Sequence, residues 1–173
     1  ALSAEDGNGR NVAIGNNTLM TQNAGSEAYN VAIGFAAGEA VTTGTHNTLI
    51  GSEAGDAITT GTHNIAIGYQ SLSQEDAHGK NVAVGSFALQ DLNAGADGGN
   101  TAIGYVAGAE VTTGIRNTIV GSWAGDALTT GSHNVAIGSF ALSAEDGHGK
   151  NIAIGYNALS VQNAGADAYN IAI

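Results

Sequence analysis

A five-residue phrase headed by asparagine recurs along the whole chain. It reads NVAIG at Asn11, NVAIG at Asn30, NTLIG at Asn47 and NIAIG at Asn64, then NVAVG at Asn81, NTAIG at Asn100, NTIVG at Asn117, NVAIG at Asn134 and NIAIG at Asn151, with a shortened NIAI at Asn170. The steps between these asparagines are 19, 17, 17, 17, 19, 17, 17, 17 and 19 residues. Residues 11–80 and 81–150 agree at 41 of 70 positions. The unit is therefore a coil of 17–19 residues, and four coils make a 70-residue module. A helical-hairpin repeat needs more than about 30 residues. The period predicts an all-β fold, a parallel β-solenoid with two or three short strands per coil. The chain reads as one continuous domain over 1–173, with modules 11–80 and 81–150 and a partial module 151–173. Because both ends fall inside a coil, it reads as a fragment of a longer fibre protein.

Within the phrase, places two and four are β-branched, as at Val12 and Ile14 or Ile65 and Ile67. Side chains two apart share one face of a strand. These places are expected to face the coil interior, with Ile103 a representative core residue. Place five is glycine in nine coils, Gly34 and Gly104 among them, which suits a corner with φ > 0 or a close approach of backbones. The opening asparagines, including Asn30, Asn47, Asn64, Asn100, Asn117 and Asn134, are expected to stack as a corner ladder bonded to backbone and to one another.

The second half of the coil varies. Two coils per module carry a TTG phrase (Val41–Gly44, Ile58–Gly61, Val111–Gly114, Leu128–Gly131), which predicts a second short strand and a turn. Another coil ends in an acidic loop, with Glu5-Asp6, Glu75-Asp76 and Glu145-Asp146. The 19-residue coil carries NAG at Asn23, Asn93 and Asn163, and its two extra residues are expected to lengthen that loop.

If places two and four face inward, place three faces out. That column reads Ala13, Ala32, Leu49, Ala66, Ala83, Ala102, Ile119, Ala136, Ala153 and Ala172, with no polar residue. Strands apolar on both faces are normally covered on both. Ala32, Leu49, Ala102, Ile119 and Ala136 are thus the candidate self-association interface, with Leu49 and Ile119 as knobs. The alternatives are that the column faces another strand of the same coil, or that alanine tolerates exposure.

The net charge of −11, with four basic residues, supplies no basic stripe for nucleic acid. No apolar run approaches the about 20 residues of a membrane span. Glu75, Asp76, Glu145 and Asp146 are candidate calcium ligands, although the spacing matches neither an EF-hand nor a calcium β-roll. Pairing of Asp76 with Lys80 and of Asp146 with Lys150 is the plainer alternative. His46, His63 and His133 each precede an asparagine, and His78 and His148 sit in the acidic loops. Stacking or capping is their expected role, since no zinc-catalytic pattern occurs. Aromatics one or two places after the corner glycine (Phe35, Tyr69, Phe87, Tyr105, Trp123, Phe140, Tyr156) either pack between coils or chains, or offer stacking platforms for sugars. No nucleophile and base stand at a telling spacing and no phosphate loop occurs, so a non-enzymatic role is expected.

NVAIG and NIAIG resemble the NSVAIG phrase of the YadA-like heads of trimeric autotransporter adhesins. The stretch NTAIGYVAGAEVTTGIRN from Asn100 is similar to the NTAIG-type repeats of phage tail-fibre proteins. The resemblance runs through the whole chain on a shared five-residue phrase. It implies an extracellular fibre segment on a cell surface or a virion tail, assembled as a homotrimer and presenting a surface to a glycan or protein receptor. A glycan- or cation-binding module using the aromatics and acidic loops is the alternative function.

Overall fold

The structure is a computed structural model that describes residues 1–4, 9–144, 147–163, 165–167 and 169–173. The strands are β1 (Val12–Ile14), β2 (Val31–Ile33), β3 (Thr48–Ile50), β4 (Ile65–Ile67), β5 (Val82–Val84), β6 (Thr101–Ile103), β7 (Thr118–Val120), β8 (Val135–Ile137), β9 (Ile152–Ile154) and β10 (Ile171–Ala172). They form one parallel sheet in chain order, a β-solenoid of about nine turns. Each strand pairs in phase with the next, so Val12 lies beside Val31 and Val31 beside Thr48. At about 4.8 Å per parallel pair, nine steps make the sheet about 43 Å long.

Each coil carries one strand rather than two or three. The TTG phrases are bends, though they bond between coils: Thr42 N–H donates to the Thr59 carbonyl at 2.9 Å and Thr112 N–H to the Thr129 carbonyl at 2.8 Å. The rest of the wall is a run of turns whose amides also bond to neighbouring coils, as in Leu89 N–H to the Ala107 carbonyl at 3.0 Å. Backbone pairing therefore runs around the coil without a second strand.

The inside and outside of the strand are the reverse of the expected order. Place three points inward: Ala32, Leu49, Ala102, Ile119 and Ala136 are all fully buried in the core. These residues are not an interface. Places two and four point outward, with Ile14 59% and Ile103 42% exposed. The interior is narrow and has room for small residues at the strand centre. The two large exceptions have a local reason. A Cβ on Gly38 or Gly55 would meet Leu49 side-chain atoms at 2.6 and 2.8 Å, and one on Gly108 would meet Ile119 at 2.8 Å. Where place three is alanine beside neither large residue, leucine fills that turn position, as Leu72 and Leu89 do next to Ala66 and Ala83. Leu49 and Ile119 are knobs inside the core, and the glycines are their holes.

The corner glycines combine both constraints anticipated for them. Gly34 has φ +140° and Gly104 φ +142°, and a Cβ on Gly104 would lie 2.5 Å from the Gly121 carbonyl oxygen. The two extra residues of the long coil fall where expected. Asn23 N–H bonds to the carbonyl 19 residues on, at Thr42, whereas by Ala28 the paired positions have closed to the 17-residue offset through His46 N–H. The surplus lies in the loop between them.

Candidate functional site

The asparagine column is continuous. The Oδ1 of each asparagine accepts the backbone N–H of the next, for example Asn30 to Asn47 N–H at 2.9 Å and Asn100 to Asn117 N–H at 2.9 Å. Its Nδ2 donates to a carbonyl at the end of the same coil: Asn47 to Gly61 at 2.8 Å, Asn64 to His78 at 3.0 Å, Asn117 to Gly131 at 2.8 Å and Asn134 to His148 at 3.2 Å. The ladder thus runs from side chain to backbone rather than from amide to amide. Asn30, Asn47, Asn64, Asn100, Asn117 and Asn134 are all buried. Their role is structural: they seal the corner between the strand and the preceding turn.

Three longitudinal columns occupy the outer surface. The middle one is the outward face of the sheet, two β-branched residues per strand in nearly every coil. On its leading edge, the residue before each asparagine adopts φ > 0 from Tyr29 onward, and those side chains are exposed. All four basic residues of the chain, Arg10, Lys80, Arg116 and Lys150, stand in this one column. So do His46 and His63, whose rings stack at 5.0 Å and 2°, and His133, whose Nε2 lies 3.4 Å from Arg116 Nη1. The long-coil loops supply acids to three of the cations: Glu27 to Arg10 at 2.6 Å, Asp97 to Lys80 at 2.5 Å and Asp167 to Lys150 at 2.6 Å. Lys80 and Lys150 draw the Asp97 and Asp167 carboxyls below the usual range. Lys80 thus pairs with the following coil and not with Asp76.

The trailing edge carries the aromatics. Tyr69, Phe87, Tyr105 and Trp123 follow one another edge to face at 5.2, 6.1 and 5.7 Å, and Phe140 meets Tyr156 in the same way at 6.4 Å. They pack between coils, yet Phe35, Tyr69, Tyr105, Trp123, Phe140 and Tyr156 remain exposed. Successive faces are near perpendicular, so the column is a stepped ridge and not one flat plane.

Acids cluster elsewhere. Glu75, Asp76 and His78 each place a ligand atom within 4.8 Å of the others. Burial pushes the Glu75 carboxyl above its usual range, against the opposing effect of the His78 and Ala94 amides. Glu145 and Asp146 lie outside the described residues. Asp56 and Asp126 are also pushed up, by burial first and then by nearby Glu53 and Glu39 for the one and Glu110 for the other. Among the described residues no ligand-sized cavity occurs, and no helix is long and apolar enough to cross a membrane. Comparison with protein-family models, curated proteins and solved structures finds no match.

Proposed function

We propose that the chain is a structural and adhesive segment of an extracellular fibre, on a cell surface or virion tail, that assembles as a homotrimer and is not an enzyme. The observation that carries this reading is the outward sheet face, which is β-branched on both exposed columns. Apolar residues there would face water in a lone chain, and sheets apolar on both sides are normally covered on both. With its flanking columns the face measures about 43 by 20 Å, close to the roughly 800 Å² per partner of a standard interface.

The edges favour copies running parallel. Rotation about an axis along the solenoid brings the cation-bearing edge of one copy to the aromatic edge of the next, where Arg116 and Lys80 meet ring faces. Antiparallel pairing would set cation column on cation column. The count of three comes from the resemblance to trimeric adhesin heads.

Light scattering on the purified chain tests this. The expected mass is three times 17.1 kDa, and Ile103→Glu with Ile137→Glu should return the mass of one chain without loss of β-structure. A parent that runs as a monomer at micromolar concentration removes the reading.

The exposed aromatic ridge favours a second function, glycan binding along the trailing edge. Glycan-array binding lost in Tyr105→Ala with Trp123→Ala, at unchanged oligomeric state, would favour it.

A further inference from the structure

The acidic loop that closes the coil from Asn64 holds donor atoms that its own hydrogen bonds leave unused. Glu75 is 0% exposed. Its Oε1 accepts the His78 backbone N–H at 3.1 Å, and its Oε2 is buried without a hydrogen-bond partner. The Nδ1 of His78 is likewise buried without a hydrogen bond, 3.6 Å from Glu75 Oε1. Asp76, next in the chain, is exposed at the mouth of the same loop. Two buried polar atoms left facing one another cost folding free energy unless a third party joins them.

We propose that Glu75, Asp76 and His78 form a binding site for a borderline first-row divalent ion of the Zn²⁺ class. The donor set is one imidazole nitrogen and two carboxylates, which suits such ions. Calcium takes 6–8 oxygens, and this loop offers two carboxylates. Bonds of about 2.0–2.2 Å to one ion require ligand atoms no more than about 4.4 Å apart. The loop therefore closes by a few tenths of an ångström on binding. Three protein ligands leave the fourth position open to water on the Asp76 side. The neighbouring cation does not compete for the site, because Asp97 holds Lys80 at 2.5 Å on the following coil. The pattern Glu-Asp-x-His-Gly-Lys recurs at 145–150, and at 5–10 it reads Glu-Asp-Gly-Asn-Gly-Arg, with Asn8 in the histidine place. The repeat thus already accommodates asparagine there, which makes His78→Asn a conservative probe.

Isothermal titration of the full chain with zinc chloride and with calcium chloride tests the site. Zinc should bind at least tenfold more tightly than calcium. His78→Asn should lose one equivalent of zinc relative to the parent. Asp76→Asn, whose side chain is exposed and outside the core, should weaken that equivalent at least tenfold, while His63→Asn binds as the parent does. Circular dichroism establishes that each variant is folded. The proposal fails if the parent takes no zinc, if calcium binds as tightly, or if folded His78→Asn and Asp76→Asn both keep the parent's stoichiometry and affinity.

Discussion

Ala102 and Ile103 are consecutive residues of β6 that stand on opposite sides of the coil wall, one 0% and the other 42% exposed. Ala102 lies in register between Ala83 and Ile119, inside the stack. Ile103 lies between Val84 and Val120, on the outside.

Charge placed at these two positions should therefore act on different properties. Ala102→Asp buries an unpaired carboxylate and should cost about 3 kcal/mol or more in chemical denaturation. Ile103→Asp should leave the folded chain within about 1 kcal/mol of the parent when dilute, while weakening self-association. Equal destabilisation by the two would refute the placement.

Asn117 joins three coils' worth of backbone through one side chain, accepting from Asn134 N–H at 2.9 Å and donating to the Gly131 carbonyl at 2.8 Å. Asn117→Ala leaves both partners buried and unpaired. The expected loss is about 2–4 kcal/mol, taking about 1–3 kcal/mol for each unsatisfied group. A denaturation midpoint unchanged from the parent would show that water replaces the side chain.

Gly104 and Gly155 separate two costs of a corner. Both have φ near +130–140°, at +142° and +127°, but only at Gly104 would a Cβ strike the next coil. Gly155→Ala should show the conformational penalty alone, about 1–3 kcal/mol. Gly104→Ala should lower the thermal midpoint further, since the neighbouring backbone must also move. Comparable melting of the two variants would mean that the close approach contributes nothing.

The half-buried acids give a pH dependence of definite sign. The folded-state carboxyls of Asp56 and Asp126 are raised by burial and by nearby acids. The folded chain holds these protons more tightly than the unfolded chain. Their favourable contribution is complete below the ordinary carboxylate value, about 3.9, and is lost as pH rises through the raised folded value. Asp56→Asn with Asp126→Asn should melt higher than the parent at pH 7, and the gap should close by pH 3. A variant that melts with the parent at pH 7 would show that these carboxylates are solvated.

What the sequence made legible is what recurs at every coil. The phase of the stack, the asparagine column, the glycine corners and the position of the surplus residues were all readable from spacing, because each imposes the same backbone demand each time. The direction of the strand faces was not. Val12 and Ile14 look like a core pair by volume, yet a coil this narrow admits one inward side chain per three-residue strand, and alanine is the one that fits. The clue lay in compensation between coils, with Leu49 and Ile119 set against Gly38, Gly55 and Gly108. The cation column escaped notice for another reason. Arg10, Lys80, Arg116 and Lys150 are 70, 36 and 34 residues apart and align only when position is counted from each asparagine. His78 belonged with Glu75 and Asp76 all along, but its partner atoms become visible only once the burial of Glu75 is known.

The loops at Asn23, Asn93 and Asn163 absorb their surplus without shifting any strand, and a side chain added at Gly25, Gly95 or Gly165 would touch nothing within 4 Å. They behave as evenly spaced pegs on a rigid rod, four coils or about 19 Å apart at about 4.8 Å per coil. A foreign peptide spliced into one peg should be carried outward while the sheet beneath keeps its alignment. Repeated in all three, it would be displayed at a fixed interval, so the same chain could serve as a molecular ruler for spacing cargo.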